Sequence, residues 1–335
     1  MYRRHPLSAF PVILSVVLLD GCAPRDGDAP RDVPQPDHVL TTETTHNRFS
    51  SAIPPTLRVA SGAVVEVHTK EASDGQLTVN SQVDAVSTLD FDPIHPLTGP
   101  IYVETAEPGD VLAVTIHDIQ IGDWGWIAIA PGFGFLADVF PNPYLKTISL
   151  PPGATEARFT DGVTLPLSPF AGVMGVAPAT DSMLSTIPPR ANGGNLDNKH
   201  IKVGTTAYFP VFVEGALFSI GDTHAVQGDG EISGTALEAP MRLIIELHVL
   251  KGGRPIEEPQ YETDEYYAVT AFGTTIDEAA RKASLYMIDY LVAEHGLDRT
   301  DAYVLSSLAG DLKIAETVDV PHMLVAMHMP KDIFR

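Results

Sequence analysis

Along residues 111–121, VLAVTIHDIQI, the side chains Leu112, Val114 and Ile116 alternate with Ala113, Thr115 and His117. A period of two puts one set on each face of an extended chain, so this stretch predicts a half-buried strand. MRLIIELHV (241–249) repeats the pattern, with Met241, Leu243, Ile245, Leu247 and Val249 on one face. TLRVASGAVVEVHT predicts two short strands around a Ser61–Gly62 turn, and YFPVFV and LFSI predict apolar strands joined at Glu214–Gly215. Helical spacing comes late. TTIDEAARKASLYMIDYLVAEHG predicts a helix with Thr275 as N-cap, acids in its first turn and Gly296 as its stop. Ala280, Ala283, Leu285, Met287, Ile288 and Leu291 form its apolar face. LDRTDAYVLSSLAG predicts a second helix, capped by Asp298 or Thr300 and ended by Gly310, before DLKIAETVDV and MLVAMHMP return to strand.

The chain has 27 glycines and 28 prolines, many of them between short apolar runs. That punctuation suits packed sheets better than alternating β-α units. The expected fold is mainly β (α+β): a β-sandwich or distorted barrel over 43–265, then a smaller C-terminal α+β part of the same unit over 266–335.

The first residues follow other rules. MYRRHPLSAFPVILSVVLLDGC has a basic start (Arg3, Arg4) and an apolar run from Leu7 to Leu19. That run falls short of the ~20 residues of a membrane span and reads as a secretory signal over 1–21. It ends in LDGC, which resembles a bacterial lipobox with Asp20 as an unusual member. Cys22 is the only cysteine, so no internal disulfide can form, and lipidation at Cys22 gives it a purpose. The proline-rich stretch that follows, to residue 42, reads as a tether. The expected location is therefore the bacterial cell envelope, with membrane contact through that anchor alone. The net charge of −22, with no basic stripe, argues against nucleic acid as a partner.

Four polar clusters could carry chemistry. GDTHAVQGDGE (221–231) places Asp222 and His224 two apart after a strand, on one face if the chain stays extended. Aspartate with histidine is an ordinary divalent-metal pairing, and Gly228 and Gly230 let Asp229 and Glu231 fold back. The same residues could equally form a solvated glycine-rich turn. In PRANGGNLDNKH, Asn195 and Asp197 follow a Gly-Gly, either as site residues or as a self-bonded loop. His95 lies in a turn before a short strand that Glu104 closes; Glu104 is a general-base candidate or a strand-end surface charge. EVHTKEASDGQ offers His68 and Glu71, or simply the end of a hairpin. There is no phosphate-binding loop, no G-x-S-x-G elbow and no HExxH.

Taken together and in order, HPLTGPIYVETAEPGDVLAVTI, PGFGFLADVF, LPLSPFAGVMGVAPA, IPPRANGGNLD, YFPVFVEGALFSIGDTHAVQGDGEISGTALE and AGDLKIAETVDVP closely resemble the acetamidase/formamidase family. Its members are amidohydrolases that split short linear amides into carboxylate and ammonia. The likeness runs from about residue 44 to 335. It implies a β-rich fold with a C-terminal α/β part, a homo-oligomer, and a divalent metal, zinc ahead of calcium. Carried over residue by residue, it implies Asp197, Asp222 and His224 as metal ligands, with His68 or Glu71 nearby. Glu104 or Glu231 would move the proton, with Asp229 beside them, and Asn195 and His95 would hold the amide. One departure stands out: His68, Thr69, Lys70 and Glu71 occupy positions where many members read Glu-Thr-x-Asp. That swap keeps open a second reading, a catalytically altered, lipid-anchored protein that binds amides or metal.

Overall fold

The structure is a computed structural model that describes residues 32–335. The signal segment and Cys22 lie outside the described residues. A nine-stranded sheet runs from His38–Leu40 through Ala63–His68, Met241–Leu250, Val111–Ile121, Thr206–Pro210, Gln260–Glu262, Tyr266–Gly273 and Met323–Pro330 to Asp311–Glu316. Only its first pair is parallel. A second sheet runs Gly193–Asn195, Phe170–Gly175, Phe218–His224, Leu97–Val103, Thr45–His46, with Leu57–Val59 pairing in parallel on Leu97–Val103. Two sheets that each bury one face must pack on each other. Val65, Leu112, Val114, Leu243 and Ile245 of the first sheet meet Ile101, Met174, Phe218 and Ile220 of the second in one continuous core.

The period-two pattern holds on both long strands. Leu112, Val114 and Ile116 are fully buried, as are Leu243, Ile245 and Leu247. The predicted turn pairs differ in one respect. Leu57–Val59 and Ala63–His68 flank the Ser61–Gly62 turn but enter different sheets, so residues 66–76 do not end a hairpin. Thr206–Pro210 and Phe218–His224 likewise separate after Glu214–Gly215. Those turns are the corners of the sandwich, where the chain crosses between layers.

The C-terminal strands extend the nine-stranded sheet, and the helices cover them. Along Met323–Pro330, Leu324 and Ala326 face the main core, whereas Val325, Met327 and Met329 face helix α1 (Ile276–His295) and helix α2 (Arg299–Ala309). The Thr275 side chain caps α1 by accepting from the Glu278 amide, and Gly296 ends it at φ 65°. Asp298 caps α2. The buried face of α1 carries Ala279 rather than Ala280, and Tyr290 rather than Leu285, which is 40% exposed.

Candidate active site

Gly172 sits in the second sheet, on the strand Phe170–Gly175. It lies between residues paired with Thr223 and Gly221, and so opposite Asp222 in an unbroken register. Asp222 itself has φ 50°, so the strand is not extended there and the simple two-apart rule does not apply. The pair still meets: His224 Nε2 lies 3.4 Å from Asp222 Oδ2. Asp197 (φ 38°) is drawn in from the Gly-Gly-Asn segment, since the Leu196 and Asp197 amides both donate to the Gly172 carbonyl at 2.9 and 3.2 Å. Glu231 (φ 43°) follows Gly230 (φ 94°) in a turn tied to the C-terminal strands. The Gly230 amide donates to the Ala315 carbonyl at 2.8 Å, and Thr317 Oγ1 donates to the Gly230 carbonyl at 2.8 Å. Three non-glycine residues in left-handed conformation at one spot is the kind of strain that collects at functional sites.

These residues line a cavity of about 50 Å³ with His95, Asn195, Glu238 and Asp319. Apolar walls come from Phe91, Ile94, Trp126, Phe133 and Ile187. His224, 1% exposed, lies against two of its lining residues, Asp222 and Glu238. Two sets of three could hold an ion, Asp222–His224–Glu238 and Asp197–His224–Glu231. The imidazole tautomer discriminates between them. Gln227 Nε2 donates to the Asp197 carbonyl at 2.7 Å, which turns its Oε1 toward His224 Nδ1 at 2.8 Å. Nδ1 therefore carries the hydrogen, and Nε2 is left as the ligand atom, 3.1 Å from Glu238 Oε2.

The polar accounting is incomplete chiefly around this cavity. Asp197 Oδ1, Asp222 Oδ1, His224 Nε2, Glu238 Oε2, His95 Nδ1 and Asn195 Oδ1 are buried and make no directed hydrogen bond to any described residue. The short Nε2–Oε2 approach lacks hydrogen-bond direction. Buried orphan polar atoms are costly, so their gathering around one cavity asks for a ligand. Charge points the same way, because among the described residues no Lys or Arg lines the cavity. Burial raises Asp197 and carries Glu231 and Asp319 well above the carboxylate range, and neighbouring acids add to it. Burial pushes Glu238 up to about 7 and Glu316 to about 8. Burial acts on Asp222 in the same sense, but His95 and His224 outweigh it and hold this group at about 2. Burial alone would lower His224, yet Glu238 and Asp222 raise it well above 6.5. A divalent cation among these donors would relieve the same excess charge.

The remaining expected site residues stand elsewhere. Glu104 is exposed and pairs with Arg58 at 3.1 Å, outside the cavity. Asp229 turns outward to Lys199 (3.2 Å) and His200 (3.0 Å). His68 pairs with Glu66 at 2.7 Å on the outer face of its strand. Glu71 is buried, but both of its oxygens are engaged, by Ser73, by the Gly75 amide and by Trp126 Nε1 at 2.7 Å. It braces a cavity wall and has no oxygen to spare for a metal. The family departure at 68–71 therefore leaves the buried cluster untouched. Glu238, Asp319, Glu316 and Trp126 went unrecognised in the sequence. Asn195 Nδ2 donates to Asp319 Oδ2 at 2.7 Å, and Glu316 Oε2 accepts from the Val318 and Asp319 amides. The acids of AETVDVP, already in a family-like stretch, were the available signal.

The chain is similar over most of its length to proteins of one kind. It is 31% identical to an acetamidase of Mycolicibacterium smegmatis, over 78% of this chain and 84% of that one. A crystal structure of an acetamidase from Bacillus halodurans superposes with a TM-score of 0.83 at 34% identity, covering 88% of this chain and 98% of that chain. A gamma lactamase from Delftia acidovorans matches with a TM-score of 0.64 at 25% identity, over 89% and 93%. The profile of the acetamidase/formamidase family matches 34–185 and 180–335, and the chain belongs to that family.

Proposed function

We propose that this protein hydrolyses short linear amides, such as formamide or acetamide, to carboxylate and ammonia at the buried acid cluster. The enzyme class, an amidohydrolase acting on linear amides, follows from membership of the family. The observation that carries the site assignment is the set of orphan donor and acceptor atoms around one small cavity.

When bound by Asp222, His224 and Glu238, with Asp197 adjoining, a divalent ion supplies carbonyl polarisation and a more acidic water. One imidazole nitrogen among carboxylates suits zinc better than calcium, which prefers oxygen alone. The chain's own residues do the rest. Glu231, whose carboxyl burial raises, is suited to take the water proton and return it to the departing nitrogen. That return matters because an amide anion is a poor leaving group. Asn195, fixed through Nδ2 on Asp319, offers Oδ1 to the substrate N–H, and His95 offers Nδ1. Trp126, Phe133 and Ile187 keep bulk water out.

Ammonia release from formamide, acetamide and propionamide, before and after chelation, tests the reading. Many turnovers, lost on chelation and restored by one metal, support it. Turnover indifferent to chelation discards the metal, and no ammonia from any amide discards the hydrolase. We also propose lipid anchorage at Cys22 in the bacterial envelope, from the basic start, apolar run and LDGC. A Cys22→Ser variant that stays in the membrane fraction would remove that proposal. Homo-oligomeric assembly rests on the family likeness, and a sedimentation run giving a monomer would end it.

A further inference from the structure

Next to the cavity lies a second, surface-open hollow of about 170 Å³, lined by Ile129, Leu136, Ala137, Phe140 and Ile232, of which Leu136, Phe140 and Ile232 are exposed. Nothing in the proposed chemistry uses it. Among the described residues, Phe133 is the one that borders both spaces. The turn beside it is divided in the same way. Glu231 and Gly234 border the cavity, whereas Ile232 and Ser233 border the hollow.

The Phe133 ring is held in place. A Cβ on Gly234 would stand 2.5 Å from Phe133 Cδ1, so the glycine lets the ring lie against the turn. Phe91 packs on it at 6.2 Å between centroids, tilted 56°. The loop is pinned by the Phe133 amide to the Ala130 carbonyl and the Phe135 amide to the Ile232 carbonyl, both at 3.0 Å. A cavity of about 50 Å³ has room for a few water-sized molecules, enough for an amide head with a very short acyl group. A longer chain needs apolar room, and the hollow supplies it on the far side of this ring.

We infer that Phe133 is the specificity-determining wall that limits acyl length, and that longer chains would enter the apolar hollow once the ring is removed. The inference deepens the amide-hydrolase reading and rests on it for the identity of the ligand.

The test compares the wild type with Phe133→Ala and Phe133→Leu on acetamide, butyramide and hexanamide, as kcat/KM and as equilibrium binding by NMR. The hexanamide-to-acetamide ratio should rise about tenfold or more in F133A, since apolar pockets discriminate chain length on that scale. F133L should show a smaller rise, and it decides the matter should F133A fail to fold. Filling the hollow with Ala137→Trp in the F133A background should cancel the gain. An unchanged ratio, or an equal loss on all three amides, overturns the wall. If the wild type turns over no amide at all, the hydrolase reading fails by itself, and the binding series still decides. Affinity that climbs with chain length only in F133A keeps the wall, and affinity equally flat in both proteins removes it.

Discussion

Two buried glutamates are joined through one tryptophan. Glu71 receives the Trp126 indole N–H at 2.7 Å, and Glu238 exchanges backbone hydrogen bonds with Trp126 at 2.9 and 2.8 Å. Their exposures, 5% and 3%, do not separate them. Their lone pairs do. Glu71 accepts four donors and is complete. Glu238 accepts only the Ala236 amide at Oε1, and its Oε2 faces His224 and Asp222 without a directed bond. A buried carboxylate is thus no sign of function by itself. An unfinished one is, because folding has spent desolvation on it without a return inside the chain.

The hardest test strikes the unfinished region. Replacing Asp222 and His224 by Ala should lower kcat/KM by about 10³-fold or more, as losing a central electrostatic element does, and should strip bound metal measured by elemental analysis. Full activity in that double variant would erase the distinction. Gly172→Ala comes next and removes no ligand. Its Cβ would collide with Asp197 Oδ1 and stand 2.8 Å from His224 Cε1. Displacement of the cluster by about 1 Å should cost about 10²-fold in kcat/KM. A G172A enzyme with wild-type kinetics would mean that the cluster tolerates movement and is not pre-organised.

The matched pair Glu238→Gln and Glu71→Gln sharpens the comparison itself. E71Q sets an NH2 group against donors and should cost about 1–3 kcal/mol in denaturant unfolding, with metal content kept. E238Q should lose metal and turnover, yet cost little stability in the metal-free protein, since it removes an ionisable group that burial already disfavours. If the two variants behave alike in both assays, counting lone pairs has no diagnostic value here.

The same contrast explains what was legible in the sequence. Period two and helix caps are local, so the long strands and both helices could be read directly. The glycine-rich stretches gave Asn195, Asp197, Asp222, His224 and Glu231, because tight backbone approach leaves a mark in composition. They also suggested Asp229, which Gly230 (φ 94°) separates from Glu231, so that one faces the surface and the other the cavity. Glu104 and His68 had salt-bridge partners, Arg58 and Glu66, that spacing alone could not single out. Glu238 and Asp319 lie in family-like stretches, but no period, turn or spacing singles them out there. They reach the cavity by long-range pairing: Glu238 bridges both Trp126 and His224, and Gly230 bridges Glu316. No local pattern records such meetings.

The smallest effect concerns pH in the metal-free protein. Glu238 and Glu316 have folded values of about 7 and about 8, above the ordinary 4.5. Above pH 4.5 the unfolded chain has released protons that the folded chain still holds, so stability must fall as pH rises toward those folded values. His224, raised above 6.5, acts in the same sense, and Asp222, held at about 2, titrates far below this window. Between pH 6.5 and 7.5 Glu238 and Glu316 together should cost the metal-free protein about 2 kcal/mol, and Glu231, Asp319 and His224 add in the same sense, a fall of several degrees in Tm by calorimetry. Loaded with metal, the slope should shrink or reverse, because the ligands must be deprotonated and affinity grows with pH. E71Q should leave this pH dependence as it is, while E238Q should reduce it by the share Glu238 carries and leave that of Glu316. A metal-free protein that grows more stable across that pH range would mean that the carboxylates are already ionised and compensated, and the acid cluster would then need no cation.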